Sequence, residues 1–273
     1  MSSLGENDDG EVLEQIASLA RRRVLVEFER CELAGDLEDW VGPWFGDEAL
    51  RERLARHVAD GKGVARLRNF LDAAVADELH DELAGTTDWE RRAEARPKYQ
   101  YRFDALSDHR PARFFHASRP TLRRLYGFFN APAAKTWAER LLRAAPGSLD
   151  ADTTVMATRY GPGCYTSLHS DASARRRLAF VLHLARDWPP ERGGDLVFVD
   201  PVAICHAEFN TLLVFAVGDD ANWHMVTPVV AGDGRFAVTG WFNSEETPAA
   251  APRGDHPTYV LDVDVTRRGG GAS

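Results

Sequence analysis

The chain has 273 residues, a formal net charge of −9, and hydrophobic and charged fractions of 44% and 27%. These are ordinary values for a globular protein of one large domain or two small ones. The absence of clustered Lys and Arg argues against a nucleic-acid partner, and no apolar run has the length needed to cross a bilayer. Three unevenly spaced cysteines do not form a disulfide framework.

The first part of the chain is predicted to be helical. Residues 1–10 are acidic, polar and expected to be disordered; they resemble neither a secretory signal nor a transit peptide, so we expect a cytoplasmic protein. From Glu11 to about Ala59 apolar residues recur with a helical period, in stripes such as Leu50, Leu54 and Val58. Further elements are then predicted as a strand over Val64–Leu71, a helix over Ala73–Leu83 capped by Asp72, and helices over Pro120–Phe129 and Ala131–Ala144. Residues 86–113 form a looser stretch with aromatics among charges.

Short β-type runs replace the helical pattern after Pro146-Gly147. They are separated by turn signals such as Gly161-Pro162-Gly163 and Gly193-Gly194. The predicted strands are Thr153–Tyr160, Tyr165–His169, Arg177–Leu184, Asp195–Val199, Thr211–Val217, His224–Val230 and Arg235–Phe242. Many short strands at this spacing indicate a sandwich or jelly roll, with the preceding helices packed on one face.

The sequence is therefore divided into one folded domain and two ends. We expect a single domain over 11–246, with helical support over 11–145 and a jelly-roll core over about 152–246. The tail, 247–273, is rich in Pro, Ala and Gly, although one short strand at Tyr259–Val263 can still dock.

Two histidines and one aspartate form a candidate metal site. His169 and Asp171 are two residues apart, so on an extended segment both side chains project from one face. His224 follows at the start of a later strand. Two imidazoles and one carboxylate hold non-haem Fe(II) on one side and leave the other side open. The alternative is that these are ordinary polar residues at strand ends.

A second pair has the same ligand types. His206 and Glu208 are also two residues apart. We prefer His169 and Asp171 because the histidine that completes this set is followed by a strand that carries an arginine.

That strand places polar residues on one face. Arg235, Thr239 and Trp241 alternate with apolar neighbours. An arginine inside a barrel is a costly buried charge and needs a carboxylate, which its planar guanidinium suits. The alternative is a surface face with Arg235 in solvent.

Six ordered segments resemble a known enzyme family. RYGPGCYTSLHSD, RRLAFVLHLARDW, GGDLVFVD, NTLLVFAV, NWHMVTPV and GRFAVTGWF, within residues 152–243, resemble the Fe(II)/2-oxoglutarate-dependent oxygenases, and the prolyl-4-hydroxylase-like branch in particular. The segment RPTLRRLYGFFNAPAAKTWAERLL resembles the helical part that precedes the barrel in that branch.

The resemblance implies a double-stranded β-helix, that is, a jelly-roll barrel. It implies Fe(II) bound by His169, Asp171 and His224, with 2-oxoglutarate and O₂ as cosubstrates and ascorbate as an activator. It assigns the distal carboxylate of 2-oxoglutarate to Arg235, Thr239 and Tyr160, and it places Leu196 and Trp241 at the same pocket. A carboxylate ligand at Asp171 implies hydroxylation rather than halogenation.

One position departs from the family pattern. Relatives of this branch often have a cosubstrate-binding tyrosine where His183 stands. Ala179, Val181 and His183 share a face of their strand, so His183 can donate to the cosubstrate through a ring nitrogen. The alternative is a packed histidine with a backbone partner.

The substrate is predicted less closely than the chemistry. The resemblance favours a prolyl residue in a protein or peptide, and a free amino acid or natural-product intermediate is the alternative. Tyr99, Tyr101 and Arg102, with Phe103, are candidates for a lid over the cavity, or else they are aromatics that pack on helices. A hypothesis of another class is a metal-bearing barrel that binds or senses a ligand without turnover.

Overall fold

The computed structural model describes residues 38–60, 63–97, 99–199, 202–218, 222–244 and 260–268. The predicted disordered start and the first helical stripe, from Glu11, lie outside these ranges. Among the described residues, no helix is both long and apolar enough to span a membrane.

Six α-helices occur among the described residues, and the last of them ends at Leu141. They are α1 (Glu38–Val41), α2 (Glu48–Ala55), α3 (Ala73–Ala84), α4 (Pro111–Phe114), α5 (Pro120–Asn130) and α6 (Pro132–Leu141). The Asp72 side chain accepts a hydrogen bond from Ala74 N, which confirms the predicted cap of α3. Proline occupies the first turn of both α5 and α6, where its missing N–H leaves no helical bond unmade.

Within the part of the chain that the structure describes, twelve strands form one highly curved sheet. They are β1 (Val64–Arg68), β2 (Glu90–Arg96), β3 (Tyr99–Ser107), β4 (Thr154–Tyr160), β5 (Tyr165–His169), β6 (Arg176–His183), β7 (Leu196–Val199), β8 (Val202–Cys205), β9 (Thr211–Ala216), β10 (His224–Val226), β11 (Arg235–Asn243) and β12 (Val260–Asp264).

The strand order is that of a jelly roll, as predicted. One half runs β9-β6-β11-β4 and the other runs β5-β10-β7-β8, and every pair in both halves is antiparallel. Strand β3 joins the halves because it pairs with both β4 and β5. Strand β1 extends the first half beyond β9, and β12 lies parallel to β1.

Two elements differ from the sequence-based expectation. The loose stretch over residues 86–113 contains the β2–β3 hairpin, in which seven residue pairs are in register. Strand β8 was not predicted either; it pairs with β7 along one edge. Neither β2 nor β8 has the apolar alternation of a half-buried strand, because both lie at the margins of the sheet.

The hydrophobic core has two parts, separated by the first half of the sheet. Side chains of all six helices pack on its outer face together with Leu178, Phe180 and Leu182 of β6. The Phe129 and Phe180 rings stack there with centroids 4.1 Å apart. The second part fills the barrel with strand and loop residues, among them Ala179 of β6. The helices thus support one side of the barrel, as expected from their order in the sequence.

Candidate functional site

The three candidate metal ligands converge at the end of the barrel. His169 ends β5, His224 begins β10, and the two residues stand directly opposite each other in the antiparallel ladder. The Nε2 atoms of both histidines lie 3.7 Å from the Asp171 carboxylate, one facing each oxygen. All three ligand atoms lie within 4.8 Å of one another, and this is the one such group found among the described residues.

Backbone carbonyls fix both imidazoles in the ligand tautomer. His169 Nδ1 lies 2.9 Å from Ser167 O, and His224 Nδ1 lies 2.7 Å from Asn222 O. Because a carbonyl oxygen can only accept, each Nδ1 carries a proton, and the Nε2 atoms are the ring nitrogens directed at Asp171. Burial, together with the neighbouring His224, lowers the pKa of His169 to about 4, so its ring is neutral near pH 7. The group therefore offers two Nε2 atoms and one carboxylate, a donor set that fits a divalent metal.

A cation that the sequence interpretation missed lies beside this group. The Arg176 guanidinium is centred 3.7 Å from the Trp241 ring, and its Nη1 lies 3.5 Å from Asp171 Oδ1. The indole face and the carboxylate hold the guanidinium between them. The signal in the sequence was the basic run Arg175-Arg176-Arg177 just after the candidate ligands.

A single cavity of about 420 Å³ contains the three candidate ligands. Of the residues predicted around the cosubstrate, four line its wall: Tyr160, Leu196, Arg235 and Thr239. Trp241 and Arg176 line it as well. The structure thus brings most of the predicted site into one space.

Arg235 is a buried cation that lacks a carboxylate partner. It is 2% exposed, its Nε has no hydrogen-bond partner, and no carboxylate among the described residues forms an ion pair with it. Burial lowers the pKa of its guanidinium. The Tyr160 ring, centred 4.9 Å from the guanidinium carbon, lies across from it on β4. A buried cation in such surroundings is complementary to an anionic ligand.

His183 is placed close to this cation but behind the cavity wall. It is fully buried, and neither ring nitrogen has a hydrogen-bond partner. It stands opposite Ala237, two residues beyond Arg235 on β11. Burial, and then the charges of Arg235 and Arg66, keep the pKa of His183 well below its usual value. His183 is thus packed, as in our alternative, but it lacks the backbone partner that the alternative included, and it is not among the residues that line the cavity.

The predicted lid residues are only partly at the cavity. Tyr99 and Trp241 line it, whereas Tyr101 and Arg102 do not. The Tyr99 ring lies 5.0 Å from the His169 ring and 5.2 Å from Tyr101, which continues the aromatic row along β3. Arg102 is exposed, because it alternates to the other face of that strand.

The second HxE pair lies elsewhere, with partners of its own. His206 Nδ1 is 3.0 Å from Asp195 Oδ1, while Glu208 forms an ion pair with Arg66. Both residues are exposed. This arrangement favours the set built on His169.

The comparison with protein families agrees with this geometry. Residues 155–243, from β4 to the end of β11, match the model of the 2OG-Fe(II) oxygenase superfamily. Prolyl 3-hydroxylase OGFOD1 of Xenopus laevis is 34% identical to this chain over 122 residues, or 40% of this chain and 23% of the relative. The chain therefore spans about a quarter of that relative's length.

Solved structures share the fold of this barrel. A prolyl hydroxylase from Trichoplax adhaerens, in complex with a hypoxia inducible factor peptide fragment, has a TM-score of 0.55 at 19% identity and covers 72% of this chain and 92% of its own. A prolyl-4-hydroxylase from Pseudomonas putida has a TM-score of 0.51 at 22% identity and covers 70% of this chain and 98% of its own. At these identities the likeness concerns the fold.

Proposed function

We propose that this chain is an Fe(II)- and 2-oxoglutarate-dependent dioxygenase that hydroxylates an unactivated C–H bond, that of a prolyl residue in a protein or peptide. One observation carries the proposal: a His-Asp-His donor set and a buried, unpaired Arg235 share a single cavity. The first suits Fe(II) and the second suits a dicarboxylic acid. The prolyl substrate is inferred from the names of the relatives.

Each part of the cavity has a role in this proposal. His169, Asp171 and His224 hold Fe(II), and Arg235 and Thr239 receive the distal carboxylate of 2-oxoglutarate beside Tyr160 and Leu196. When bound, the iron enables O₂ and 2-oxoglutarate to convert a C–H bond into C–OH, with release of succinate and CO₂. The chain positions the reactants and, because Arg235 is buried, surrounds the cosubstrate carboxylate with little water. Ascorbate activation stays a prediction.

The first test separates turnover from binding alone. Anaerobic addition of Fe(II) and 2-oxoglutarate to the purified chain is expected to give a weak visible charge-transfer band. Admission of O₂ is then expected to release succinate. If the band forms but no succinate is released with any of the prolyl peptides that are added, the hypothesis of a binding or sensor barrel is favoured.

Two variants and one control test the proposed roles of the cavity residues. His224→Ala is expected to abolish succinate release because it removes one of three ligands. Arg235→Ala is expected to raise the KM for 2-oxoglutarate by about tenfold or more, the effect of losing a charge-assisted hydrogen bond. His206→Ala removes an exposed histidine of the second pair and is expected to have little effect on iron content. Full activity of His224→Ala, or loss of iron from His206→Ala, would refute the assignment.

A further inference from the structure

Two large exposed apolar side chains lie at the cavity. Large exposed hydrophobic residues of the described chain are Leu168, Val202, Ile204, Trp223 and Val230. Leu168 and Trp223, each 41% exposed, also line the cavity. Each directly precedes one of the candidate ligand histidines: Leu168 lies on β5, and Trp223 lies just before β10, the strand that pairs with β5. We call these two residues the mouth shelf.

The cavity lining contributed by the other half of the sheet has a different character. It includes Arg176 stacked on Trp241, from β6 and β11, while Tyr99 of β3 borders His169. The cavity thus has exposed apolar residues from one half of the sheet and a cation over an aromatic ring from the other. Such a pairing suits a chain that carries both apolar side chains and carbonyl oxygens.

A ligand confined to the cavity does not account for the shelf. A free amino acid would sit among the cavity residues and leave the exposed parts of Leu168 and Trp223 in water. A polypeptide that continues beyond the target residue would cover them and gain the free energy of apolar burial. Continuity of the shelf with the cavity, through residues adjacent to His169 and His224, places such a contact next to the target.

We infer that the proposed polypeptide substrate carries an apolar side chain next to its target residue, and that this side chain docks on the mouth shelf. The inference rests on the proposed function, since it specifies the sequence around the target residue in the same cavity. It also assigns Leu168 and Trp223 as residues that determine specificity.

The test measures binding without turnover. The full chain, loaded with Mn(II) and 2-oxoglutarate, is titrated into fluorescein-labelled peptides that contain one proline in an alanine host, and anisotropy is recorded. Peptides with leucine next to the proline, on either side, are compared with peptides that have serine there. We expect the better leucine peptide to bind about tenfold more tightly, which is the magnitude for burial of most of one aliphatic side chain.

Variants then locate the contact. Leu168→Ser and Trp223→Ser are expected to reduce the leucine-to-serine affinity ratio to near one, and Trp223→Phe is expected to retain it. Ile204→Ser is the matched control, because Ile204 is 57% exposed and does not line the cavity. Thermal unfolding of each variant checks that the fold is intact.

The inference is overturned if the wild-type chain shows no preference for the leucine peptides, or if it binds no peptide at all. It is also overturned if Ile204→Ser loses the preference as fully as the variants of Leu168 and Trp223 do. The proposed oxygenase activity fails separately, through absence of the charge-transfer band and of succinate. If the chain releases succinate but binds the leucine and serine peptides with equal affinity, the proposed function stands and the role of the mouth shelf is refuted.

Discussion

Burial of His183 lowers the stability of the folded chain. A polar group without a hydrogen-bond partner in the interior costs roughly 1–3 kcal/mol, and neither ring nitrogen of His183 has one. Its neighbour on the same inner face is the Arg235 guanidinium, whose charge further disfavours the protonated ring. A neutral imidazole next to a cation that lacks a carboxylate is suited to donate one N–H to an anion held by that cation. We therefore expect His183, although it destabilises the fold, to donate a hydrogen bond to the cosubstrate.

His183→Phe separates stability from binding. Without ligands, the variant is expected to be more stable by about 1 kcal/mol, because an unpaired polar ring is replaced by an apolar one. Its affinity for 2-oxoglutarate is expected to fall about tenfold or more. Denaturant unfolding and 2-oxoglutarate titration under Mn(II) measure the two quantities.

His80→Phe is the matched control for that variant. His80 Nδ1 lies 2.7 Å from Leu184 O, so this histidine has the partner that His183 lacks. We expect His80→Phe to lower the stability and to leave 2-oxoglutarate affinity unchanged. If His183→Phe also lowers stability and binds 2-oxoglutarate normally, His183 is a packing residue.

The same variant is expected to change the response to acid. The folded-state pKa of His183 lies well below the unfolded value of about 6.5, so the unfolded chain binds a proton that the folded chain does not. The stability contributed by the neutral ring is present above pH 6.5 and is lost as the pH falls below it. Between pH 6 and 5, wild type should lose up to about 1.4 kcal/mol per pH unit relative to His183→Phe. Parallel stability curves would contradict this.

Residues of the candidate site were predictable to different degrees. His169 and Asp171 followed from two-residue spacing on an extended segment, and Arg235 and Thr239 followed from alternation along one strand. Arg176, Trp223 and Leu168 were missed because their importance depends on which strands meet at the cavity mouth. Their side chains become neighbours of the site only after β5, β6, β10 and β11 have been placed.

At the scale of elements, apolar alternation predicted the strands that are buried on a face and missed those that are not. Strand β2 consists of five charged residues and two alanines, and most of its side chains are exposed. Strand β2 is held in place by pairing with β3, which carries the row of packed aromatic rings Tyr99, Tyr101 and Phe103. A strand that is stabilised by its neighbour rather than by its own apolar face leaves little trace in a single sequence.

Strand β11 contains a position, Gly240, that leaves no room for a side chain. A Cβ atom there would lie 1.9 Å from Thr154 O and 2.5 Å from Phe180 Cζ, in the middle of the contact between β4, β11 and β6. Gly240→Ala is expected to destabilise the fold by about 3 kcal/mol or more, the upper range for overpacking. Gly161→Ala is the control, because a Cβ atom at Gly161 meets nothing within 4 Å. Equal midpoints in denaturant unfolding of the two variants would contradict the expectation.

For the whole molecule, the class of fold was predictable but the strand order was not. Counting short strands between turn signals indicates a jelly roll, and the order of helices before strands indicates a one-sided helical layer. Periodicity does not reveal that β11 lies between β4 and β6, since these contacts join strands far apart in the sequence. That arrangement was implied by the resemblance to known oxygenases, not by the pattern of residues.

Because the candidate ligand-binding residues come from both halves of the sheet, ligand binding is coupled to the stability of the entire barrel. His169 and His224 belong to one half of the sheet and Arg235 to the other, so Mn(II) and 2-oxoglutarate together would join both halves. At one hundred times its dissociation constant, a ligand adds about 2.7 kcal/mol to the stability, or roughly 5–10 °C in Tm for a chain of this size. Thermal unfolding is expected to show a rise with Mn(II) and a further rise with 2-oxoglutarate. His224→Ala should lose both increments and Arg235→Ala only the second, whereas equal increments in all three proteins would mean that the ligands bind outside the cavity.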